Sequence, residues 1–285
     1  MTDLSSPPYT PAHASTYCPA LTPHLVALDI DGTTITHAGE LRPAVQAAVR
    51  AVADAGHHVT IATGRTINGT LPILAALGIE RGFAVCCNGA LTVRLDPDLA
   101  DGYEVVDEVT FDPGPVLDLL EGSWPDATVA VEDGAGGFKV SAPFPDGDLL
   151  GKVMVVPWAD LKTHPVTRVC FYSPSGSAED FIKLTQAIGL HGVNYAVGFS
   201  AWLDISPEGV SKASALEIIR RDLRVEPMHT IAIGDQRNDV EMLHWAARGV
   251  AMGNAPDEVK AIADEVTGSV DEDGLAAVLR TLPGV

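Results

Sequence analysis

Leu25-Val26-Ala27-Leu28-Asp29-Ile30-Asp31-Gly32-Thr33 is the stretch on which the fold turns. Four apolar residues in a row, with no alternation, describe a strand covered on both faces, as in the middle of a parallel sheet. The run stops at Asp29, and Asp31-Gly32 opens a turn, so polar chemistry begins where the strand ends. Open parallel sheets bind ligands outside the carboxyl ends of their strands, and residues just after each apolar run are therefore the first candidates for a site.

Outward from this strand the pattern repeats. Val45, Ala48, Val49 and Val52 follow helical spacing after Leu41, with Pro43 suited to a first turn and Gly56 to a stop. Val59-Thr60-Ile61-Ala62-Thr63 reads as a second strand, a helix runs to about Leu77 with Gly78 as its cap, and Phe83 to Cys87 reads as a third strand. Strand, helix, strand, helix, strand predicts an α/β fold with a doubly wound parallel sheet.

From Ala90 the rhythm changes. Leu91 to Leu95, Glu104 to Phe111, Thr128 to Glu132, Phe138 to Val140 and Val166 to Tyr172 alternate between Asp, Gly and Pro turns, which predicts antiparallel strands. Helices around Ala178 to Ile188 and Val116 to Glu121 would cover one face, making this an inserted α+β domain. The parallel pattern resumes with a helix from Lys212 to Asp222, the strand Thr230 to Ile233, a helix from Val240 to Ala247 and the strand Val250 to Met252. The expected division is a flexible tail over residues 1–23, a core over 24–90 and 208–285, and the insert over 91–207.

A chain of 285 residues with 46% hydrophobic content can bury a sizeable core. Its 18 Lys and Arg against 38 Asp and Glu give a net charge of -20, which argues against nucleic acid and anionic membrane surfaces as partners. The same field opposes a small anion, so a phosphate site here needs a local cation, most simply a divalent metal. No stretch reaches the roughly 18 apolar residues of a membrane span, and Met1 to Pro23 lacks the basic and apolar regions of a signal. Cys18, Cys86, Cys87 and Cys170 form no paired framework, which fits a reducing, cytoplasmic setting. The vicinal Cys86 and Cys87 lack the spacer of redox motifs, and His57 and His58 lack ligand spacing.

Four strand ends supply polar groups to one rim: Asp29 and Asp31; Thr63, Gly64 and Arg65; Asn88 and Gly89; and Gly234, Asp235, Asn238 and Asp239. These motifs, with Lys212, resemble the four ordered motifs of haloacid dehalogenase-type phosphatases. More narrowly, Asn88-Gly89-Ala90, Gly209-Val210-Ser211-Lys212, Met252-Gly253-Asn254-Ala255 and Glu272-Asp273-Gly274-Leu275 are similar to the Cof-type subfamily, with its class IIB cap. The resemblance runs from about Leu25 to Leu282, and it departs at Gln236, where the family usually has Gly.

The chemistry accounts for these residue types on its own terms. Phosphoryl transfer spreads charge over the equatorial oxygens, so catalysis consists mainly of alignment and cation placement. Mg²⁺ prefers oxygen ligands, and Asp29 with Asp235 can supply two. Metal coordination keeps Asp29 ionised as a nucleophile, while Asp31, pointing away from the metal, can stay protonated and act as acid and base. Thr63 would bond a phosphate oxygen and Lys212 would neutralise the intermediate.

Singly, each residue has a plainer role: Asp31-Gly32 as a turn, Thr63-Gly64 as a strand end, Lys212 as a solvated helix residue. Their joint occurrence in order favours the site. Arg65 and Asn88 stay open between ligand contact and helix-surface or turn roles, with Gly64 and Asn238 beside them as substrate-binding candidates. In the insert, Glu132, Asp133, Lys139, Arg168 and Trp202 are open between substrate contact and the surface.

The resemblance implies that the Asp31 carbonyl adds a third metal ligand and that Asp239 stands behind the metal and orients Lys212. It also implies that the insert closes over the site as a cap, excluding water and selecting the leaving group of a sugar phosphate or another small phosphorylated metabolite. The expected function is a magnesium-dependent phosphatase working through a phospho-aspartate on Asp29, as a monomer or small homo-oligomer. A phosphomutase on the same core, and a catalytically idle binding protein, are the alternatives.

Overall fold

Strand β1 (Leu25–Leu28) has no exposed side chain, as its unbroken apolar run requires. The computed structural model, which describes residues 22–121, 126–133, 137–144, 149, 151–174, 193–197 and 202–285, places it inside an eight-stranded sheet. Parallel partners flank it: β2 (His58–Ala62) on one side and β12 (Thr230–Gly234) on the other, with Leu25 opposite both His58 and Thr230. Beyond β2 lies β3 (Gly82–Cys86), and beyond β12 lie β13 (Arg248–Ala251) and β14 (Glu265–Val266), all parallel to their neighbours.

Alternation along β1 feeds two core layers. Val26 and Leu28 pack with Val45, Val49 and Val52 of the helix Pro43–Asp54 and with Leu275 and Leu279 of the helix Gly274–Leu279. Leu25 and Ala27 face Leu216 and Ile219 of the helix Lys212–Asp222 and Met242 and Leu243 of the helix Val240–Trp245. Each fully buried Leu or Val contributes about 1.5–3 kcal/mol against its exposed state. The helices stop and start as their sequences direct. Thr66 caps the helix Ile67–Leu77 by accepting from Gly69 N, Gly78 ends it at φ +78°, and Ser211 with Ser214 forms a capping box ahead of Lys212.

Two differences from the sequence reading concern the insert. Leu91–Leu95 (β4) and Tyr103–Glu108 (β5), expected to open it, instead extend the first sheet as antiparallel strands beyond β3. Alternation identifies an antiparallel hairpin but not the sheet it joins, and β4 follows β3 through a short turn that brings it back alongside β3, with β5 then added beyond it. The second sheet begins at β6 (Thr128–Asp133) and adds β7 (Gly137–Val140), β8 (Val153–Val155), β9 (Val169–Tyr172), β10 (Val193–Val197) and β11 (Trp202–Pro207), in the order β10-β11-β9-β6-β7-β8. Its pairs are antiparallel except β7 with β8, which run parallel. The helix expected at Val116 to Glu121 spans Gly114–Leu120 and packs Leu117 and Leu120 onto this sheet. The helix expected around Ala178 to Ile188, and the expected tail except for its last two residues, lie outside the described residues. No described helix is long and apolar enough to cross a membrane.

Candidate active site

The carboxyl ends of β1 and β12 lie side by side because the two strands pair in register, which brings Asp29 and Asp235 together. With Asp239 they form a buried cluster in which one carboxylate oxygen from each residue lies within 4.8 Å of the others. Lys212, at the first position of its helix and wholly buried, donates from Nζ to Asp29 Oδ1 at 2.6 Å and to Asp239 Oδ1 at 2.7 Å. Burial alone would lower the lysine's pKa, but the charges of Asp239 and Asp29 outweigh it and hold the ammonium form.

Three carboxylates against one ammonium leave this pocket short of positive charge. Burial first, then the charge of Asp239, raises the Asp29 carboxyl well above its ordinary range. Burial and Asp239 likewise push Asp235 up to about 6, against hydrogen bonds from Thr33 and Gln236 that favour its ionised form. An all-oxygen donor set with surplus negative charge suits a hard divalent cation. Asp239 is the least available of the three as a ligand: Oδ1 takes Lys212, and Oδ2 accepts from the backbone N–H groups of Asp235 and Gln236 at 2.9 and 2.8 Å. Gly234 allows the approach, since a Cβ there would meet Asp239 Cγ at 2.5 Å.

Asp31 stands apart from the cluster. Both its oxygens accept from Arg65, Oδ1 from Nη2 at 2.6 Å and Oδ2 from Nε at 2.8 Å, and its side chain is 54% exposed. A carboxylate is the form that accepts both N–H groups of such a fork, so a proton on Asp31, the state expected for its acid role, would displace part of the Arg65 contact. Arg65, left open between surface and ligand, is the partner that holds it. Thr63 is buried just after β2, where its hydroxyl oxygen accepts from Arg65 N at 3.1 Å.

Cys87, Asn88 and Gly89 turn at φ +52°, +54° and +106°. Asn88 is buried in this turn and accepts from Asn238 Nδ2 at 2.8 Å, which joins the loops after β3 and β12. A Cβ at Gly89 would lie 2.2 Å from the Ser211 carbonyl oxygen, so this glycine lets the turn lie against the start of the Lys212 helix.

A cleft of about 220 Å³ opens over these groups, lined by Asp29, Asp31, Thr63, Gly64, Arg65, Thr66 and Asn238 from the first sheet and its loops. Phe138, Arg168 and Asp204 of the second sheet close its other side. Arg168 is buried against Glu132, with Nη2 3.1 Å from Oε2, and donates from Nη1 to the Gly64 carbonyl at 2.6 Å, tying the two sheets together. Cys87 Sγ donates to Glu132 Oε1 at 3.0 Å, and burial with that carboxylate raises the thiol's pKa.

All ten sequence candidates thus sit around one rim: Asp29, Asp235, Asp239 and Lys212 touch as one unit, Asp31 pairs with Arg65, Asn88 bonds Asn238, and Thr63 and Gly64 line the cleft. Sequence reasoning gave no role to Thr33, which donates to Asp235 Oδ1 at 3.0 Å, or to Asn254, which donates to Asp235 Oδ2 at 3.1 Å and to the Gly32 carbonyl at 2.9 Å. Both belong to motifs quoted above, and that membership was the available signal. Asp204 carried none. Of the insert candidates, Lys139 is half-buried on β7, and the side chains of Asp133 and Trp202 lie outside the described residues.

The family description that matches this chain, haloacid dehalogenase-like hydrolase, covers residues 26–121 and 155–279. Phosphatase YwpJ of Bacillus subtilis is 27% identical, over 90% of this chain and 99% of its own length. Pyridoxal phosphate phosphatase YbhA of Escherichia coli is 29% identical, over 90% of this chain and 97% of its own. In fold, the chain superposes on the solved sugar phosphatase BT4131, of subclass IIB, with a TM-score of 0.78 at 22% identity, over 92% of this chain and 100% of the other.

Proposed function

Because this chain belongs to the haloacid dehalogenase-like hydrolases, and is a phosphoric monoester hydrolase among them, we propose that it dephosphorylates a small metabolite with Asp29 as its nucleophile. The observation that carries the reading is Asp29 at the floor of the cleft, 2.6 Å from a fully buried ammonium and beside two further carboxylates.

An Asp29 oxygen attacks phosphorus, the bond from phosphorus to the ester oxygen breaks, and Asp31 passes a proton to that departing oxygen. Water then attacks the phospho-aspartate while Asp31 takes a proton from it, releasing inorganic phosphate and restoring Asp29. For the first step Asp31 must take up a proton and give up part of the Arg65 fork, which an arriving phosphate would draw toward itself. Lys212 balances charge on the phosphoryl oxygens. The Thr63 hydroxyl donates to one of them, and Gly64, Asn88 and Asn238 shape the surrounding rim. Asp29, Asp235 and the Asp31 carbonyl would hold Mg²⁺, which when bound supplies charge neutralisation and polarises the phosphoryl group.

The second sheet with the helix Gly114–Leu120 serves as the cap that selects the leaving group, a sugar or another small metabolite, as the names of the relatives suggest. The thiols of Cys86, Cys87 and Cys170 are free and buried, which fits work in a reducing cytoplasm. The test is phosphate release from a panel of small monoesters with and without Mg²⁺, repeated with Asp29→Asn. The variant should be inactive and show no phosphorylated species by intact mass; turnover retained by Asp29→Asn would overturn the assignment.

A further inference from the structure

Two buried charges of the second sheet meet the core loops directly. Glu132 on β6 and Arg168, just ahead of β9, face each other across neighbouring strands, with Glu132 N donating to the Arg168 carbonyl at 3.0 Å. Arg168 Nε donates to Glu132 Oε2 at 3.1 Å, and Nη2 lies 3.1 Å from the same oxygen. That grip orients the planar guanidinium, which also lies over the Phe138 ring, 5.6 Å from its centroid. Each partner then reaches across to the core. Arg168 Nη1 donates to the Gly64 carbonyl at 2.6 Å, and Glu132 Oε1 accepts from Cys87 Sγ at 3.0 Å.

Both landing points lie where a small displacement counts. Gly64 stands between Thr63, which lines the cleft, and Arg65, whose fork holds Asp31. Cys87 opens the turn whose Asn88 bonds Asn238 and whose Gly89 lies against Ser211. Cohesion of the second sheet does not call for such a pair, because desolvating two charges offsets their attraction, and apolar residues of similar volume often serve as well or better. What the pair adds is one defined seat of cap on core: Glu132 and Arg168 hold each other, so a shift of the cap moves both contacts at once.

Resting on the phosphatase reading above, we infer that the Glu132–Arg168 pair is a clasp by which the cap sets the loops after β2 and β3, a positioning element on which turnover depends through Thr63, Arg65 and Asn88. The clasp also seals Cys87. Burial and the Glu132 carboxylate raise this thiol's pKa, so its reaction with a maleimide is slow while the clasp is closed.

The experiment combines Glu132→Leu with Arg168→Met in one full-length variant, which removes both charges of the pair together. Its melting temperature should stay close to that of the wild type. Its kcat for p-nitrophenyl phosphate and for glycerol 1-phosphate should fall about 10- to 100-fold, with KM changing less, as slight misplacement of reacting groups does. Labelling of Cys87 by N-ethylmaleimide, told apart from Cys86 and Cys170 by peptide mass, should run several-fold faster. Should the double variant melt well below the wild type, Arg168→Lys carries the same two readouts with the same expected directions: it keeps a cation beside Glu132 but loses the planar fork. Wild-type kcat in a variant that melts normally, or Cys87 labelling at the wild-type rate, overturns the inference and leaves the phosphatase reading standing. If the wild type releases no phosphate from either ester, the phosphatase reading fails and takes the claim on turnover with it, while the labelling rates still show whether the pair seats the cap.

Discussion

Lys212 Nζ stands 2.6 Å from Asp29 Oδ1, and with the lysine side chain wholly buried the two are one electrostatic unit. Removing the cation strands Asp29 and Asp239 as buried like charges, and breaking a buried pair in this way costs about 3–5 kcal/mol. Lys212→Met should therefore lose both activity and stability. Urea unfolding with and without Mg²⁺ checks this: the deficit should be largest in chelator. An unchanged midpoint in chelator would mean that Lys212 does not balance the cluster.

The raised carboxyls give the metal-free protein a defined pH response. Burial, then Asp239, pushes Asp235 up to about 6, and burial, then Asp239, raises Asp29 as well. The unfolded chain loses these protons near pH 4. From about pH 4 to 6 the folded state thus holds more protons, and stability falls as pH rises through that window. A divalent ion binds the ionised carboxylates, so its stabilising effect grows over the same range. Melting temperatures with Mg²⁺ and with chelator should diverge from pH 4.5 to 7, and a constant gap would contradict the cluster as the metal site.

Asp31→Asn should separate the two half-reactions. Asparagine can keep a hydrogen bond to Arg65 but can neither give nor take a proton, a loss worth about 10²- to 10⁴-fold. With p-nitrophenyl phosphate the leaving group needs no acid, so rapid mixing should show a burst near one equivalent followed by slow hydrolysis. A sugar phosphate should give no burst. Wild-type turnover of both would reduce Asp31 to a turn residue.

Gly89→Ala should damage the site from a distance. The residue sits at φ +106°, and a Cβ there would lie 2.2 Å from the Ser211 carbonyl, one residue before Lys212. Gly102→Ala, at φ +75° with nothing within 4 Å, isolates the conformational cost alone, about 1–2 kcal/mol. Both should lower the melting temperature, but only Gly89→Ala should cut kcat. Equal activity in the two variants would show that the turn does not set Lys212.

The rim was legible because its signal is local: each apolar run of the core ends abruptly in Asp29, Thr63 or Asp235. What those residues do to one another was less so. Thr33 reaches Asp235 across 202 residues and Arg168 reaches Gly64 across 104, and no periodicity encodes such pairings. Asp31 was read as free to hold a proton because nothing in its neighbourhood in sequence announces the fork of Arg65. Val153–Val155 was missed for another reason: three apolar residues, all exposed at a sheet edge, show neither alternation nor burial.

The pairing of β1 with β12, which makes the site, also sets a schedule for synthesis. Emerging from the ribosome, β1 can find β2 at once, but its other edge stays open until Thr230 appears, an interval of roughly ten to forty seconds at ordinary elongation rates. Throughout it, a strand with no exposed side chain in the finished molecule offers unpaired backbone and bare apolar faces to any neighbouring nascent chain. The second sheet, whose strands all lie between β5 and Pro207, can fold within that wait. The length of the insert is then also the length of the half-built core's exposure, so lengthening the cap to widen its substrate range would raise the demand on chaperones.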